Sequence, residues 1–276
     1  MNSRYFYAQS IEEAVYLLKH EPNAHILGGG QTLINQVSKM EIGSPFTLID
    51  ISRIKECQTI SLLTDHNRLE IGAAVKLAEI IQYMYKNQAM QTNQLEKMLR
   101  SMGDTQIRNA ASFCGTIANS DPLSDIWPAL LIAGGTGYLT SNGKNRFLHF
   151  NNWFNNTCEK SLHKTEFLVK VEVNMATDYV YDKFYFSESE RVTVCTRMRG
   201  SRHSTVAVGG IDKYRPLLTD LKGDIEQQQK MLFYYLNVMV PGLPKYKSHV
   251  VVHMMTEQIK ELEKGGDQYE PRAFQK

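Results

Sequence analysis

Along the chain the apolar positions switch between a helical period of about 3.6 and a strand period of about 2. Near the start, Ile11, Ala14, Val15 and Leu18 fall on one helical face. Ser10 and Glu13 precede and open that face as a capping box, in which a hydroxyl and a carboxylate satisfy orphan amides. A helix over 11–19 is therefore expected, broken by Pro22-Asn23. The run at 24–27 reads as a short buried strand, Gly28-Gly29-Gly30 as a turn, 31–39 as a helix and 46–51 as a second strand. Strand, helix and strand over so short a span predict a small βαβ unit with parallel pairing.

Further on, 68–72 has the pattern of a strand, and 77–85 and 95–102 have helical spacing. A polar stretch with many small residues fills 103–125. A short apolar helix is expected at 126–132, with strands at 136–140 and 167–173. The last hundred or so residues open with an aromatic, polar stretch at 179–186 and close with helical patterns at 231–239 and 250–262. No internal repeat is visible, and a boundary near 174–178 carries no linker signature. The elements together predict an α+β chain with a larger first domain and a smaller second one.

Composition narrows the function classes. The chain has 276 residues, with 31 Lys+Arg against 29 Asp+Glu, a formal net charge of +2. So even a balance gives no electrostatic footprint for nucleic acid or an acidic membrane surface. The longest nearly apolar stretch, 126–139, contains Pro128 and three glycines and falls short of the ~20 residues a spanning helix needs. The first ten residues hold no apolar leader, so a cytoplasmic location is expected, with reduced thiols at Cys57, Cys114, Cys158 and Cys195. No CxxC pair or zinc-finger spacing is present, so no metal or iron–sulfur site is expected in this chain.

Two segments could carry chemistry. Gly28-Gly29-Gly30-Gln31-Thr32 lies between a strand and a helix, where glycines admit a ligand close to the backbone and a helix start attracts anions. It is not a dinucleotide fingerprint, because Leu33 replaces the third glycine of G-x-G-x-x-G, and no Gly-Lys-Ser/Thr of a P-loop follows. Alone it is as well explained by a tight turn. The second segment, 106–125, is rich in small residues and hydroxyls. On one reading Ser124 or Asp125 caps the following helix and the rest is surface loop. On the other, its amides and hydroxyls hold a pyrophosphate or a polyol chain, as long uncharged loops are usually functional.

The ordered series Gly28-Gly29-Gly30-Gln31-Thr32-Leu33, Leu48-Ile49-Asp50-Ile51, Leu69 to Val75, Gln106-Ile107-Arg108-Asn109, Ala118-Asn119 and Pro122 to Asp125 resembles the medium, FAD-binding subunit of the xanthine dehydrogenase and carbon monoxide dehydrogenase family of molybdenum hydroxylases. The resemblance covers about 1–175, with a trace at 181–184 and 207–210. It implies a two-subdomain FAD-binding (PCMH-type) fold over 1–175, with a small parallel βαβ unit and a mixed or antiparallel sheet, and a smaller α+β C-terminal domain over 176–276. It implies FAD contacts at Ile26, Leu27, Gly28, Gly29, Gly30, Gln31, Thr32 and Leu33, and at Ser112, Phe113, Cys114, Gly115 and Thr116. Asp125 matches the acidic residue closing the second loop, Met102 a side chain on the flavin ring, and Leu168 and Lys183 later contacts. The implied role is an electron-transfer flavoprotein that takes electrons from [2Fe–2S] clusters of a small iron–sulfur subunit. A large subunit would hold the molybdopterin cofactor, and NAD+, O2 or another acceptor would receive the electrons. No catalytic acid or base is implied.

Some residues stand outside that pattern. Cys114 replaces a glycine of the family, and a cysteine forced to positive φ costs about 1 kcal/mol. A flavin-free assembly subunit and a free-standing FAD-dependent oxidoreductase are the alternatives. Cys114 reads as a small buried residue rather than a reactive thiol, and Trp127, Trp153 and Phe154 as core. Arg197, Arg199, Arg202 and His203 read as a solvated loop or as a surface for an acidic partner. His249 and His253 are four apart on a helix but lack the carboxylate of H-E-x-x-H. Tyr246-Lys247 is either a faint echo of a family Tyr-Arg pair or plain surface.

Overall fold

The computed structural model describes residues 3–37, 45–87, 94–154, 162–175 and 178–264. Cys158 lies outside them. The chain divides into two compact units. One comprises Met1–Gln88, Leu99–Asp121 and Ala133–Met175; the other comprises Ala89–Met98, Pro122–Ile132 and Ala176–Lys276. Residues 89–98 and 122–132 thus join the second unit although they precede the expected boundary.

The first unit opens with β1 (Arg4–Tyr7), α1 (Ile11–His20), β2 (Ala24–Leu27), α2 (Gln31–Val37) and β3 (Thr47–Asp50). The strands form a parallel sheet in the order β1-β3-β2, so β2, α2 and β3 are the expected βαβ unit. Ser10 Oγ accepts from the Glu13 amide, and α1 buries Ala14, Val15, Leu17 and Leu18. β1 escapes the sequence pattern because it is an edge strand with three of its four residues exposed.

The unit continues with β4 (Ile60–Leu63), β5 (Arg68–Gly72), α3 (Leu77–Lys86) and α4 (Gln94–Ser101), the last of which runs across the division between units. After α5 (Thr105–Ala110), α6 (Phe113–Ala118) and α7 (Ile126–Ala133), which but for its last residue belongs to the second unit, come β6 (Gly135–Ser141), β7 (Lys144–His149) and β8 (Phe167–Asn174). These strands make an antiparallel five-stranded sheet, β4-β5-β8-β6-β7. Leu69, Ile71, Val171 and Val173 are buried on one face of it. Trp153 is buried as expected, and its Nε1 donates to Ser120 Oγ at 2.9 Å.

The stretch 103–125 is not one polar loop. Asp104 accepts from the Ile107 amide at 2.7 Å to start α5, and Ser112 accepts from the Gly115 amide at 3.2 Å to start α6. Each side chain satisfies an otherwise orphaned amide, which starts the helix there.

In the second unit β9 (Tyr179–Tyr185), β10 (Arg191–Met198), β11 (His203–Gly209) and β12 (Leu217–Lys222) form an antiparallel meander in the order β12-β11-β10-β9. Across it lie α8 (Ile225–Met239) and α9 (Lys245–Glu263). Val192, Val194, Val206 and Val208 of the sheet share one core with Leu232 and Leu236 of α8 and Val251, Met255 and Ile259 of α9. The basic run is not a single loop. Arg197 sits on β10 and bonds Asp178, Arg199 and Arg202 belong to the β10–β11 turn, and His203 begins β11. The His249 ring packs against Phe233, 4.9 Å between centroids, and Lys247 pairs with Glu190. Among the described residues no group of three His, Cys, Asp or Glu side chains could hold a metal, and no helix is long and apolar enough to cross a membrane.

Candidate functional site

The first unit contains a cleft of about 400 Å³, within the ~300–1,000 Å³ of cofactor and small-molecule sites. Ile26, Gly28, Gly29, Gly30, Gln31, Thr32 and Leu33 line one wall. Ser112, Cys114, Gly115 and Thr116 line another, and Leu168 of β8 completes it. Two segments some eighty residues apart in sequence, each singled out for its small residues, thus face one space. Leu27 and Phe113 do not line it; Phe113 is fully buried in the core. Met102 also lies off the lining, and its carbonyl accepts from Arg108.

The walls touch through backbone. A Cβ built on Gly29 would stand 2.6 Å from the Ala110 carbonyl oxygen and nearer still to the Ser112 amide nitrogen. On Gly28 it would come within 2.7 Å of Ser112 Oγ. Gly30 has φ +79°, a left-handed conformation that turns the chain from β2 into α2. A third link comes from the stretch before α3. Lys76 bridges Ser112 in antiparallel fashion, and Lys76 Nζ donates to the Gly28 carbonyl at 2.5 Å.

Cys114 has the helical conformation of α6, not positive φ, so it carries no backbone strain. Its Sγ donates to the Ile71 carbonyl at 3.5 Å, and burial pushes the thiol up, further raised by neighbouring Cys57. Burial, then Glu56, pushes Cys57 up to about 12. Neither thiol is a nucleophile at neutral pH.

Sequence reading passed over the charged rim. His25, His163, Lys164 and Glu166 all line the cleft. Burial lowers the His25 pKa, and the Lys164 charge lowers it further, so the imidazole is neutral at pH 7. Burial raises the Glu166 carboxyl, but bonds from Arg146 and the His163 amide outweigh it and hold the group below 4.5. Arg146 grips Glu166 with two bonds, Nε at 2.5 Å and Nη2 at 2.7 Å. The Glu166 charge is therefore neutralised where it stands, while Lys164 adds a positive charge to the cleft. The one available sequence signal was the spacing of His163 and Glu166 just before a strand.

Asp125 and Lys183 belong to the second unit, where they meet each other. Lys183 Nζ lies 2.6 Å from Asp125 Oδ2, Arg191 Nε donates to Oδ1 at 2.8 Å, and Thr193 Oγ1 donates at 3.0 Å. The buried carboxylate is thus matched by charge and hydrogen bonds, as burial demands. Those bonds, rather than a cap on α7, occupy it.

The glycine cradle, the hydroxyls of Thr32, Ser112 and Thr116, the Lys164 charge and the apolar Ile26, Leu33 and Leu168 together suit an elongated ligand with an anionic middle and an apolar end, as FAD is. Comparison with known proteins agrees. The family described as FAD binding domain in molybdopterin dehydrogenase matches residues 1–174. The glyceraldehyde dehydrogenase medium chain of Sulfolobus acidocaldarius is 30% identical over 183 residues, 65% of this chain and 63% of that one. Xanthine dehydrogenase of Oryza sativa subsp. japonica is 26% identical over 140 residues, 48% of this chain and 10% of that one. The chain thus spans less than two thirds of the length of these relatives. Quinoline 2-oxidoreductase of Pseudomonas putida 86 shares the fold, with a TM-score of 0.76 over 96% of this chain and 98% of that one at 19% identity. The Cu,Mo-CO dehydrogenase does so with a TM-score of 0.76 over 95% and 98% at 18% identity. A match over residues 1–174 takes in more than half of the 276 residues, and the chain belongs to the family of FAD-binding domains of molybdopterin dehydrogenases.

Proposed function

We propose that this chain is the FAD-carrying electron-transfer subunit of a molybdenum hydroxylase. Residues 1–175 form its FAD-binding domain and 176–276 its C-terminal domain. It takes electrons from [2Fe–2S] clusters of a small iron–sulfur subunit, in a complex whose large subunit holds the molybdopterin cofactor. It passes them to NAD+, O2 or another acceptor, in the cytoplasm. The observation that carries this reading is the cleft in which the glycine turn and the α6 segment meet backbone to backbone. Names among the relatives support it: a glyceraldehyde dehydrogenase medium chain and the nicotine 6-hydroxylase medium subunit of Paenarthrobacter nicotinovorans.

Bound FAD would supply the redox chemistry, and the protein supplies position and electrostatics. The amides around Gly29 to Thr32 and the Thr116 and Ser112 hydroxyls bind the diphosphate, with Lys164 balancing its charge. Leu33, Ile26 and Leu168 exclude water from the organic part. With Cys114 in a helix, nothing in the second wall argues for a flavin-free subunit.

The test is an absorbance spectrum of the purified chain before and after added FAD. Flavin bands at one FAD per chain are expected. A chain that stays colourless in excess FAD overturns the assignment.

A further inference from the structure

We propose that Lys76, which does not line the cleft, is the positioning residue that holds the glycine turn in its binding conformation. The inference rests on the FAD reading of the cleft.

Lys76 reaches both walls by different groups. Its side chain donates to the Gly28 carbonyl at 2.5 Å. Its backbone runs antiparallel to the second wall: Phe113 donates to the Val75 carbonyl at 3.0 Å, and Leu77 to the Ala111 carbonyl at 3.1 Å. The residue is itself fixed, because its amide donates to Glu79 Oε2 at 2.7 Å at the start of α3. Gly28 and Gly29 have no side chains with which to hold their own peptide planes, and a Cβ at either position would run into the second wall. Lys76 supplies the missing anchor.

The bond orients more than a carbonyl. The Gly28–Gly29 peptide is planar and trans, so its N–H points opposite to its C=O. With the oxygen held by Lys76, the Gly29 amide is directed away from Lys76, and Gly29 lines the cleft. An ammonium on the oxygen also polarises the peptide and makes that N–H a stronger donor toward an anion.

The ammonium is placed to respond to pH. Burial lowers its pKa from the usual 10.5, against the opposing pull of Glu79 on α3 and Asp50 on β3. Tyr5 of β1, itself pushed up by burial and by Asp50, donates to Asp50 and stays protonated over the range concerned. Loss of the Lys76 proton weakens the hold on Gly28.

The experiment is a fluorescence titration of the purified chain with FAD, comparing wild type, Lys76→Met and Lys76→Arg. Lys76→Met is expected to weaken FAD binding about ten- to a hundredfold, the worth of one charge-assisted hydrogen bond. Lys76→Arg is expected to restore most of it, because a guanidinium can donate to the same carbonyl. Wild-type affinity should begin to fall at a lower pH than that of Lys76→Arg, because burial lowers the Lys76 pKa whereas a guanidinium keeps its proton. Equal affinity of Lys76→Met and wild type overturns the inference. So does a parallel alkaline decline of wild type and Lys76→Arg, a comparison that does not depend on how Lys76→Met folds. A wild-type chain that takes up no FAD at any pH overturns the FAD reading itself, and the inference with it.

Discussion

Leu232 and Leu236 of α8 share a core with Val194 and Val206 of the second unit's sheet, side chain against side chain. Gly29 meets Ser112 and Ala110 in the first unit with nothing but backbone. The two regions respond differently to change. An apolar core loses stability in proportion to the volume removed, and neighbouring side chains share the adjustment. Two backbone segments in contact have no rotamers with which to adjust, so one added carbon displaces a whole segment. The core of the second unit therefore tolerates graded damage, whereas the cleft of the first is all or nothing.

The sharpest break of this contrast is Gly29→Val. Its side chain would force the two walls apart, and complete loss of FAD uptake is expected in the visible spectrum, with cooperative unfolding retained. Full uptake would show that the walls can shift without cost. Leu232→Ala should do the opposite. Its lost packing is expected to cost about 2–5 kcal/mol in denaturant unfolding, while FAD affinity per folded chain changes less than about twofold. A parallel fall in affinity would mean that the two regions are energetically one.

A smaller effect separates the cleft rim from its glycine walls. Glu166→Gln removes the charge gripped by Arg146 and should cost about 1 kcal/mol at pH 7, because Arg146 is partly open to solvent. The sign follows from linkage: the folded carboxyl titrates below 4.5, so in the window between its lowered value and the ordinary one the folded state binds fewer protons than the unfolded one. The contribution is fully present above pH 4.5 and is lost as pH falls through the lowered value. Melting curves of the two proteins should differ at pH 7 and converge in acid.

What the sequence revealed followed from strong periodicity and from composition. The βαβ unit was legible because Ser10, the apolar face of α1 and the glycine turn follow one another within thirty residues. The meander was not. In β10 the consecutive residues Val192, Thr193, Val194, Cys195 and Thr196 are all buried, so the alternation that marks a half-exposed strand is missing. The six-residue helices α5 and α6 are too short for a helical period to show. Lys76 left no trace either, since its partner is a main-chain carbonyl 48 residues away. The two cleft segments were visible through their small residues, but their charged rim was not, because His25 lies far in sequence from the short run His163, Lys164 and Glu166, and neither carries a motif of its own.

The second unit gathers three separate stretches of chain, and this sets an order on biosynthesis. Asp125 leaves the ribosome 66 residues ahead of Arg191. At ~5–20 residues per second that is a wait of about 3–13 s. Through that interval the carboxylate lacks its partners, and Pro128 of the same segment lacks Gly209 of β11, against which it lies in the finished protein. A gene split or graft made after residue 175 would prolong the wait indefinitely unless residues 122–132 travelled with the C-terminal part.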